Sequence, residues 1–183
     1  MFPQFFSLEM KHLLSTILTF LIMGTLSAQS FHDISIKTIE GKEIKMSEFK
    51  GKYVLVVNVA SYCGYTSQYS DLQKLYESYD ELVVLGVPCN QFGMQEPGSE
   101  QEIQAFCDSK YSIGFPMTEK VDVKGENQHN LYKWLTSKKT NLTEDYTVSW
   151  NFNKFLVGPK GEFLSYFKSG VNPMDDSITN YIK

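Results

Sequence analysis

A run of seven residues from Tyr53 to Val59 (YVLVVNV) constrains the fold of this chain more than any other feature. Nearly every position is β-branched or apolar, which is typical of a central strand that is buried on both faces. The segment 69–79 follows, with large apolar side chains at spacings of three and four residues, and it is predicted to form an amphipathic helix. A second buried run, 82–87 (LVVLGV), comes next. This order of strand, helix and strand indicates an α/β protein.

The rest of the chain adds a hairpin before these elements and more helices and strands after them. Ser99, with Glu102 three residues later, is a capping box that predicts the start of a second helix. No internal repeat and no linker rich in Pro, Gly or Ser interrupts residues 29–183, so we expect one domain there. That domain should have a central mixed sheet with helices on both faces and an N-terminal β-hairpin. The other predicted elements are a hairpin of 31–36 and 44–46, a helix at 129–138, strands at 154–157 and 162–167, and a last helix at 175–182.

The first 28 residues have the pattern of a secretory signal peptide, not of a folded domain. Residues 13–26 are an uncharged, mostly apolar run of 14 residues, with Lys11 before it and Ser27-Ala28 after it. The run is shorter than the roughly 20 residues that a transmembrane helix needs. Met10 is an alternative start, and a buried helix or an uncleaved anchor is the alternative interpretation of the run. We expect an exported protein, periplasmic or secreted, without stable membrane association after cleavage.

The charges and the cysteines exclude several classes of protein. The 183 residues carry 17 basic and 21 acidic side chains, a net charge of −4, which disfavours nucleic acid as a partner. All the basic side chains are lysines, nearly all of which we expect at the surface, so the chain lacks the two-pronged guanidinium clamp for carboxylates and phosphates. Three cysteines are too few for a disulfide-built scaffold or a four-thiolate metal site. We expect no metal and no cofactor.

Cys63 is the main candidate for a reactive group. It lies between the first buried strand and the helix that follows, where the helix dipole favours the thiolate, the reactive form of cysteine. The next residues, Gly64-Tyr65-Thr66, contain no second cysteine, so the Cys-x-x-Cys motif of a disulfide oxidoreductase is absent. An inert cysteine in a loop is the alternative.

The other two cysteines have different predicted positions. Cys107 lies on the apolar stripe of the second predicted helix. It is either a core residue or a resolving thiol that attacks an oxidised Cys63 and forms a disulfide. Cys89 ends the second buried strand, and we expect it to be a packed small residue.

Three polar side chains are candidates for the same site. Gln95 lies in a loop after the second strand, where sites of α/β proteins tend to form, and its amide can donate to a thiolate or a peroxide oxygen. Trp150 is followed by Asn151, and an indole N–H beside a thiolate would stabilise the anion because it only donates. The alternatives are an ordinary loop amide for Gln95 and a core aromatic for Trp150.

Several stretches of the chain together resemble the glutathione peroxidase family. The resemblance covers nearly all of the chain after residue 31 and implies a thioredoxin-like fold that reduces hydrogen peroxide and organic hydroperoxides. Cys63 matches the peroxidatic position of the family, and Gln95, Trp150 and Asn151 match the other positions of its catalytic tetrad. The matching stretches are 58–64 (NVASYCG), 88–98 (PCNQFGMQEPG), Phe115-Pro116 followed by 120–125 (KVDVKG), and 150–157 (WNFNKFLV).

The resemblance also implies a mechanism and a role in the response to oxidative stress. The Cys63 thiolate attacks the peroxide and becomes a sulfenic acid, while Gln95, Trp150 and Asn151 hydrogen-bond the thiolate and the developing charge. In family members without selenium, a second cysteine on the following helix then forms an intramolecular disulfide, and Cys107 falls in that region. A thioredoxin-like dithiol protein or glutathione reduces this disulfide.

Further expectations concern the partners. Animal enzymes of the family recognise glutathione largely through basic residues, arginines among them, so the lack of arginine favours a dithiol protein as the reductant. The stretch from Leu135 to Trp150 lacks the insertion that tetrameric members use for assembly, which predicts a monomer whose open rim admits lipid hydroperoxides. An exported thiol–disulfide oxidoreductase and a redox relay from Cys63 to a partner protein are the alternative functions.

Overall fold

A computed structural model describes residues 29–182. A four-stranded sheet forms its centre, and a short two-stranded hairpin precedes that sheet. The strands are β1 (Ser35–Lys37), β2 (Glu43–Lys45), β3 (Tyr53–Val59), β4 (Leu82–Pro88), β5 (Lys154–Val157) and β6 (Phe163–Phe167). The helices are α1 (Gln68–Ser78), α2 (Glu100–Tyr111), α3 (Asn130–Thr136), α4 (Lys138–Asn141) and α5 (Asp176–Thr179), and 3₁₀ turns lie at Phe31–Asp33 and Met46–Phe49.

The central sheet is mixed and has the strand order β4-β3-β5-β6. Strand β3 runs parallel to β4 and antiparallel to β5, and β5 runs antiparallel to β6. The β1–β2 hairpin pairs Ile36 with Ile44 and forms a separate sheet. The predicted mixed sheet with an N-terminal hairpin is therefore confirmed.

Strand β3 is buried on both faces, as its composition predicts. Val54 and Val56 belong to one core cluster, and Leu55 and Val57 belong to the other, because successive side chains of a strand point to opposite faces. Helix α3 and the hairpin cover the first face, whereas α1, α2 and α5 cover the second. Helices thus pack on both faces of the sheet.

Helix α2 begins where the capping box predicts. The Ser99 hydroxyl accepts a hydrogen bond from the Glu102 amide at 3.3 Å, and the Glu102 carboxylate accepts one from the Ser99 amide at 2.7 Å. The helix ends at Ser112, whose φ of 49° lies in the left-handed region and whose amide donates to the Asp108 carbonyl. Both ends of the helix that carries Cys107 are therefore defined by local hydrogen bonds.

Two predicted helices differ from the structure. The segment 129–138 is not one helix, because Ser137 is extended and its hydroxyl accepts from the Lys139 amide to start the short helix α4. A serine side chain that bonds to nearby backbone competes with the helical hydrogen bonds at that position. The last helix, predicted over 175–182, is regular over Asp176–Thr179 and continues as turns.

The predicted signal peptide, residues 1–28, lies outside the described residues. From residue 29 to residue 182, no helix is both long and apolar enough to cross a membrane.

Candidate active site

Cys63 lies in the turn that connects β3 to α1. Its amide donates to Thr66 Oγ1 at 3.0 Å, its carbonyl accepts from the Thr66 amide at 3.0 Å, and the Thr66 hydroxyl donates to the Ala60 carbonyl at 2.8 Å. These bonds fix the backbone around the thiol. The Cys63 side chain is partly exposed, and the Tyr65 amide nitrogen lies 3.5 Å from its sulfur. A small molecule can therefore reach the thiol, and a backbone N–H is directed at it.

The loop after β4 brings Gln95 next to this turn. Gly93 and Met94 both have left-handed backbones, with φ of 64° and 54°, so the chain turns tightly just before Gln95. The Tyr62 amide donates to the Gln95 carbonyl at 3.1 Å and ties the two loops together. A side-chain carbon at Gly93 would lie 3.6 Å from both Gln95 and the Trp150 ring, which shows how closely these residues pack.

Trp150 and Asn151 lie just before β5 and complete the site. The amide of the fully buried Asn151 donates to Gln95 Oε1 at 2.9 Å. The Trp150 ring packs on Phe92 with centroids 5.9 Å apart and is 39% exposed, so it is not a core aromatic. Asn58, near the end of β3, donates to the Trp150 carbonyl at 2.9 Å. The structure thus brings Gln95, Trp150 and Asn151 together beside the turn that carries Cys63.

All three cysteines are free thiols, and they lie on two sides of the sheet. Cys63 and Cys107 pack into the core cluster of α1 and α2, whereas Cys89 belongs to the cluster on the opposite face. The rings of Tyr62 and Phe106, one residue before Cys63 and Cys107 respectively, have centroids 6.3 Å apart. Cys107 is therefore the cysteine that shares a face of the sheet with Cys63.

The Cys107 thiol is buried, with 1% of the residue exposed. Burial raises the pKa of this thiol to about 11; the nearby Tyr69 hydroxyl opposes that shift, and the Glu96 carboxylate adds to it. Because the thiolate is the reactive form, Cys107 is protonated and unreactive at neutral pH unless another group removes its proton.

Glu96, directly after Gln95, is a buried acid that sequence analysis missed. It is 1% exposed, and neither carboxylate oxygen has a hydrogen-bond partner within residues 29–182. Burial raises the pKa of Glu96 to about 7, with Ser61 and Lys120 near enough to oppose the shift. A glutamate in a loop rich in turn formers gives no sign of burial, so no sequence signal identifies it.

Lys154, the first residue of β5, is also fully buried and is an exception to the expected surface position of the lysines. Its Nζ donates to the Phe152 carbonyl at 2.9 Å and to the Ser169 carbonyl at 3.5 Å. The Ser169 carbonyl also accepts from Gln68 at 2.8 Å, which links the start of α1 to the segment that carries Asn151. Burial lowers the pKa of Lys154 to about 7. The local sequence gives no signal for this burial, because Asn153 and Lys154 stand next to each other as two polar residues in the segment 152–157 (FNKFLV).

No group of three or more His, Cys, Asp or Glu side chains in the described part of the chain is arranged to hold a metal ion. The Tyr65 amide is the polar group in contact with the Cys63 sulfur, and the bonded pair of Gln95 and Asn151 lies beside the same turn.

Comparison with known proteins assigns the chain to a family. The family model described as glutathione peroxidase matches residues 31–136, over half of the chain. The chain belongs to the glutathione peroxidase family. This confirms the resemblance on which the mechanism above is based.

Relatives of this glutathione peroxidase cover most of its length. The glutathione peroxidase-like peroxiredoxin 2 of Saccharomyces cerevisiae is 45% identical over 157 residues, which are 84% of this chain and 97% of the yeast protein. A hydroperoxy fatty acid reductase of Synechocystis is 40% identical over 151 residues, 79% of this chain and 89% of the relative. The crystal structure of Trgpx in apo form superposes with a TM-score of 0.66 at 39% identity, covering 85% of this chain and 97% of the other. The protein is therefore a peroxidase.

The fold extends beyond the family. A secreted disulfide oxidoreductase of Mycobacterium tuberculosis superposes with a TM-score of 0.57 over 82% of this chain and 94% of its own, although the two sequences are 13% identical. A likeness at this identity concerns the fold alone, and it agrees with the predicted thioredoxin-like fold.

Proposed function

We propose that the protein is a thiol peroxidase in which Cys63 is the peroxidatic residue. The hydrogen bond from Asn151 to Gln95 Oε1, beside the Cys63 turn, is the observation that supports this most strongly. Because Gln95 Oε1 is occupied as an acceptor, the Gln95 Nε2 group is available to donate to a thiolate or a peroxide oxygen. The Tyr65 amide, 3.5 Å from the Cys63 sulfur, is a second donor.

The reaction has three steps. The Cys63 thiolate attacks one peroxide oxygen, the O–O bond breaks, and an alcohol or water leaves as the sulfenic acid forms. Gln95, Trp150 and Asn151 stabilise the negative charge that develops on the departing oxygen. The Cys107 thiolate then displaces the hydroxyl of the sulfenic acid and forms the Cys63–Cys107 disulfide, which a dithiol protein reduces.

Variants of the three cysteines test these roles. Cys63→Ser should abolish peroxide consumption, because it removes the nucleophile. Cys107→Ser should complete one round of peroxide reduction and then stop, because the sulfenic acid is not resolved. Cys89→Ser is the matched control and should keep multiple turnover, since Cys89 lies on the opposite face of the sheet. Multiple turnover of Cys107→Ser with thioredoxin would contradict the role of Cys107.

Lipid hydroperoxides are proposed as substrates together with hydrogen peroxide. Large side chains beside the thiol are exposed, Tyr62 by 68%, Met94 by 75% and Trp150 by 39%, and they form a partly apolar rim. The name of the Synechocystis relative, hydroperoxy fatty acid reductase, supports the same substrate class. Met94→Ser should lower kcat/KM for a fatty acid hydroperoxide and leave that for hydrogen peroxide unchanged. An equal effect on both substrates would contradict a role of the rim in recognition.

A thioredoxin-like dithiol protein is the proposed reductant. Glutathione carries two carboxylates, and the chain has no arginine to clamp them. Steady-state turnover should therefore be much faster with a thioredoxin system than with glutathione and glutathione reductase. Equal rates with the two donors would contradict this proposal.

A redox relay is the second candidate, because the exposed rim of Tyr62 and Met94 also offers a protein a place to dock next to Cys63. Cys107→Ser should accumulate mixed disulfides with target proteins if Cys63 passes its oxidation on. If no mixed disulfides form and the wild type still turns over peroxide, the relay is excluded and the protein acts as a peroxidase only. An insulin-reduction assay separates both from a general thiol–disulfide oxidoreductase.

Export is proposed from the apolar run at residues 13–26. N-terminal sequencing of the protein from an extracytoplasmic fraction should begin near Gln29. A cell-associated protein that begins at Met1 or Met10 would contradict export.

A monomer is proposed from the short segment between Leu135 and Trp150. Light scattering at micromolar concentration should give the mass of one chain. A tetramer would show that another surface replaces the missing insertion.

A further inference from the structure

Four buried polar oxygens from the Cys63 turn, helix α1 and the Gln95 loop make no hydrogen bond of good geometry within residues 29–182. They are Ser61 Oγ, Tyr69 OH and both carboxylate oxygens of Glu96. The Tyr62 amide donates to the carbonyl of Gln95, the residue before Glu96, and the Glu96 carboxylate raises the pKa of both Tyr69 and Cys107. Glu96 thus lies near the loop that carries the peroxidatic thiol and near the helix that carries the proposed resolving thiol.

Ser61 and Lys120 favour the charged form of this carboxylate, but burial outweighs them. A buried acid usually accepts several hydrogen bonds, and an unsatisfied one is destabilising by about 1–3 kcal/mol or more. The backbone of Glu96 is well held, since its amide donates to Asn90 at 2.9 Å and its carbonyl accepts from Lys120 at 3.2 Å. A buried acid that destabilises the fold and lies next to a reactive site is a candidate for an acid–base role in the reaction.

The resolving step requires a proton to be moved in this same space. The buried Cys107 thiol must lose its proton to become a nucleophile. The hydroxide that leaves the Cys63 sulfenic acid must gain one, because hydroxide is a poor leaving group. A single acid–base group between the Cys63 turn and helix α2 serves both needs.

We propose that Glu96 is the acid–base residue of the resolving step, which takes the proton from Cys107 and returns it to the hydroxyl that leaves Cys63. This inference rests on the proposed roles of the two cysteines. It assigns to Glu96 a function separate from that of its neighbour Gln95, which acts in the peroxide step.

The step balances without another reactant. The Glu96 carboxylate takes the Cys107 proton, and the thiolate attacks the sulfur of the Cys63 sulfenic acid. The new S–S bond forms as the S–O bond breaks, and the Glu96 carboxylic acid protonates the departing hydroxide to give water. The products are one disulfide and one water, and Glu96 is again a carboxylate.

The charges around Glu96 agree with this role. Its pKa of about 7 lies close to neutral pH, where one group both accepts and donates a proton efficiently. Lys120 on one side lowers the pKa, whereas burial raises it more. On the side of α2 and α1, Asp108 raises the pKa of Cys107, and Tyr111 raises that of Tyr69.

The test measures the two chemical steps separately in single-turnover experiments. One equivalent of peroxide is mixed with the reduced protein. Tryptophan fluorescence follows the reaction, and dimedone, which traps sulfenic acid, distinguishes sulfenic acid formation from disulfide formation. Glu96→Gln should lower the resolving rate relative to the peroxide rate on the order of 100-fold. Glu100→Gln, the same change four residues away at the start of α2, is the control and should leave this ratio within about twofold of the wild type.

The pH profile distinguishes proton transfer from a structural effect. The wild-type resolving rate should rise with pH and level off above about 7, as Glu96 loses its proton. In Glu96→Gln the rate should instead rise about tenfold per pH unit from 6 to 9, because it depends on the ionisation of Cys107 itself. Glu96→Asp keeps a carboxylate, and it should be slower than the wild type but level off in the same way.

Two outcomes would overturn the proposal. One is an unchanged ratio of the two rates in Glu96→Gln, and the other is a Glu96→Gln profile that still levels off near pH 7. Failure of the proposed function gives a different result, because then the wild type itself forms no Cys63–Cys107 disulfide in a mass spectrum of the oxidised protein.

Discussion

Asn151 donates a hydrogen bond to Gln95 Oε1 over 2.9 Å, and this bond joins two residues 56 positions apart in the chain. The bond determines which end of the Gln95 amide is free. Its oxygen is used, so its N–H group is the part available to the Cys63 site. Asn151 is fully buried and Gln95 is only partly buried, so the buried residue orients the accessible one.

A double-mutant cycle tests this coupling. Gln95→Ala should slow the peroxide step on the order of 100-fold, because it removes a donor to the developing charge. Asn151→Ala should slow it on the order of 10-fold or more, since Gln95 then loses its fixed orientation. The double variant should be about as slow as Gln95→Ala alone, because the two residues act as a unit. Stopped-flow rates that are simply multiplicative would contradict the coupling.

The indole N–H of Trp150 is a separate contribution. Trp150→Phe keeps a ring that packs against Phe92 but removes the donor, so the peroxide step should slow several-fold with little change in stability. Trp134→Phe is the matched control. The Trp134 indole is buried and donates to the Gln29 carbonyl at 3.0 Å, so this variant should lose stability and keep the peroxide rate. An equal loss of rate in both variants would show that tryptophan removal acts through the fold.

The sequence predicts the sheet and the place of Cys63 because both depend on local patterns. Tyr53–Val59 has the composition of a strand buried on both faces, and the strand found has those bounds. Ser99 and Glu102 are three residues apart, so their mutual hydrogen bonds need no knowledge of the rest of the molecule. The break at Ser137 was missed because a serine within a helical pattern either continues the helix or caps the next one, and local pattern does not decide between them.

The burial of Glu96 and Lys154 could not be predicted in the same way. The loop that carries Glu96 is rich in turn-forming residues, which are normally exposed, yet Glu96 itself is 1% exposed. Lys154 is held by the carbonyls of Phe152 and Ser169, and the second of these belongs to a segment after β6. Such burial is decided by distant parts of the chain, so hydrophobic patterns do not reveal it.

Helix α2 should become more stable when its left-handed C-terminal residue is replaced by glycine. Ser112 has a φ of 49°, a conformation that is unfavourable for residues with a Cβ and free of strain for glycine. Ser112→Gly should raise the free energy of unfolding by about 0.5–1 kcal/mol. Ser109→Gly, within the same helix, should lower it by up to about 1 kcal/mol. Urea denaturation at neutral pH measures both, and a loss of stability in Ser112→Gly would contradict the role of the turn.

The buried Lys154 should make stability rise with pH above neutral, a pH range well above the one in which most carboxylates titrate. Burial lowers the pKa of Lys154 to about 7 in the folded protein, whereas the ordinary lysine value is 10.5. Between these values the unfolded chain binds a proton that the folded chain does not, so the free energy of unfolding rises with pH from about 7 to 10.5. Lys154→Met removes this contribution.

Urea denaturation of wild type and Lys154→Met at pH 7 and pH 9 measures the difference. The wild type should gain about 2 kcal/mol more than Lys154→Met between the two pH values, because each pKa unit corresponds to about 1.4 kcal/mol. All other titratable groups are the same in the two proteins, so their contribution to the pH dependence of the free energy of unfolding cancels in the comparison. Lys74→Met on the exposed side of α1 should behave as the wild type does. If Lys154→Met also matched the wild type at both pH values, Lys154 would keep its proton when folded, and its two backbone acceptors would then stabilise a buried ammonium ion.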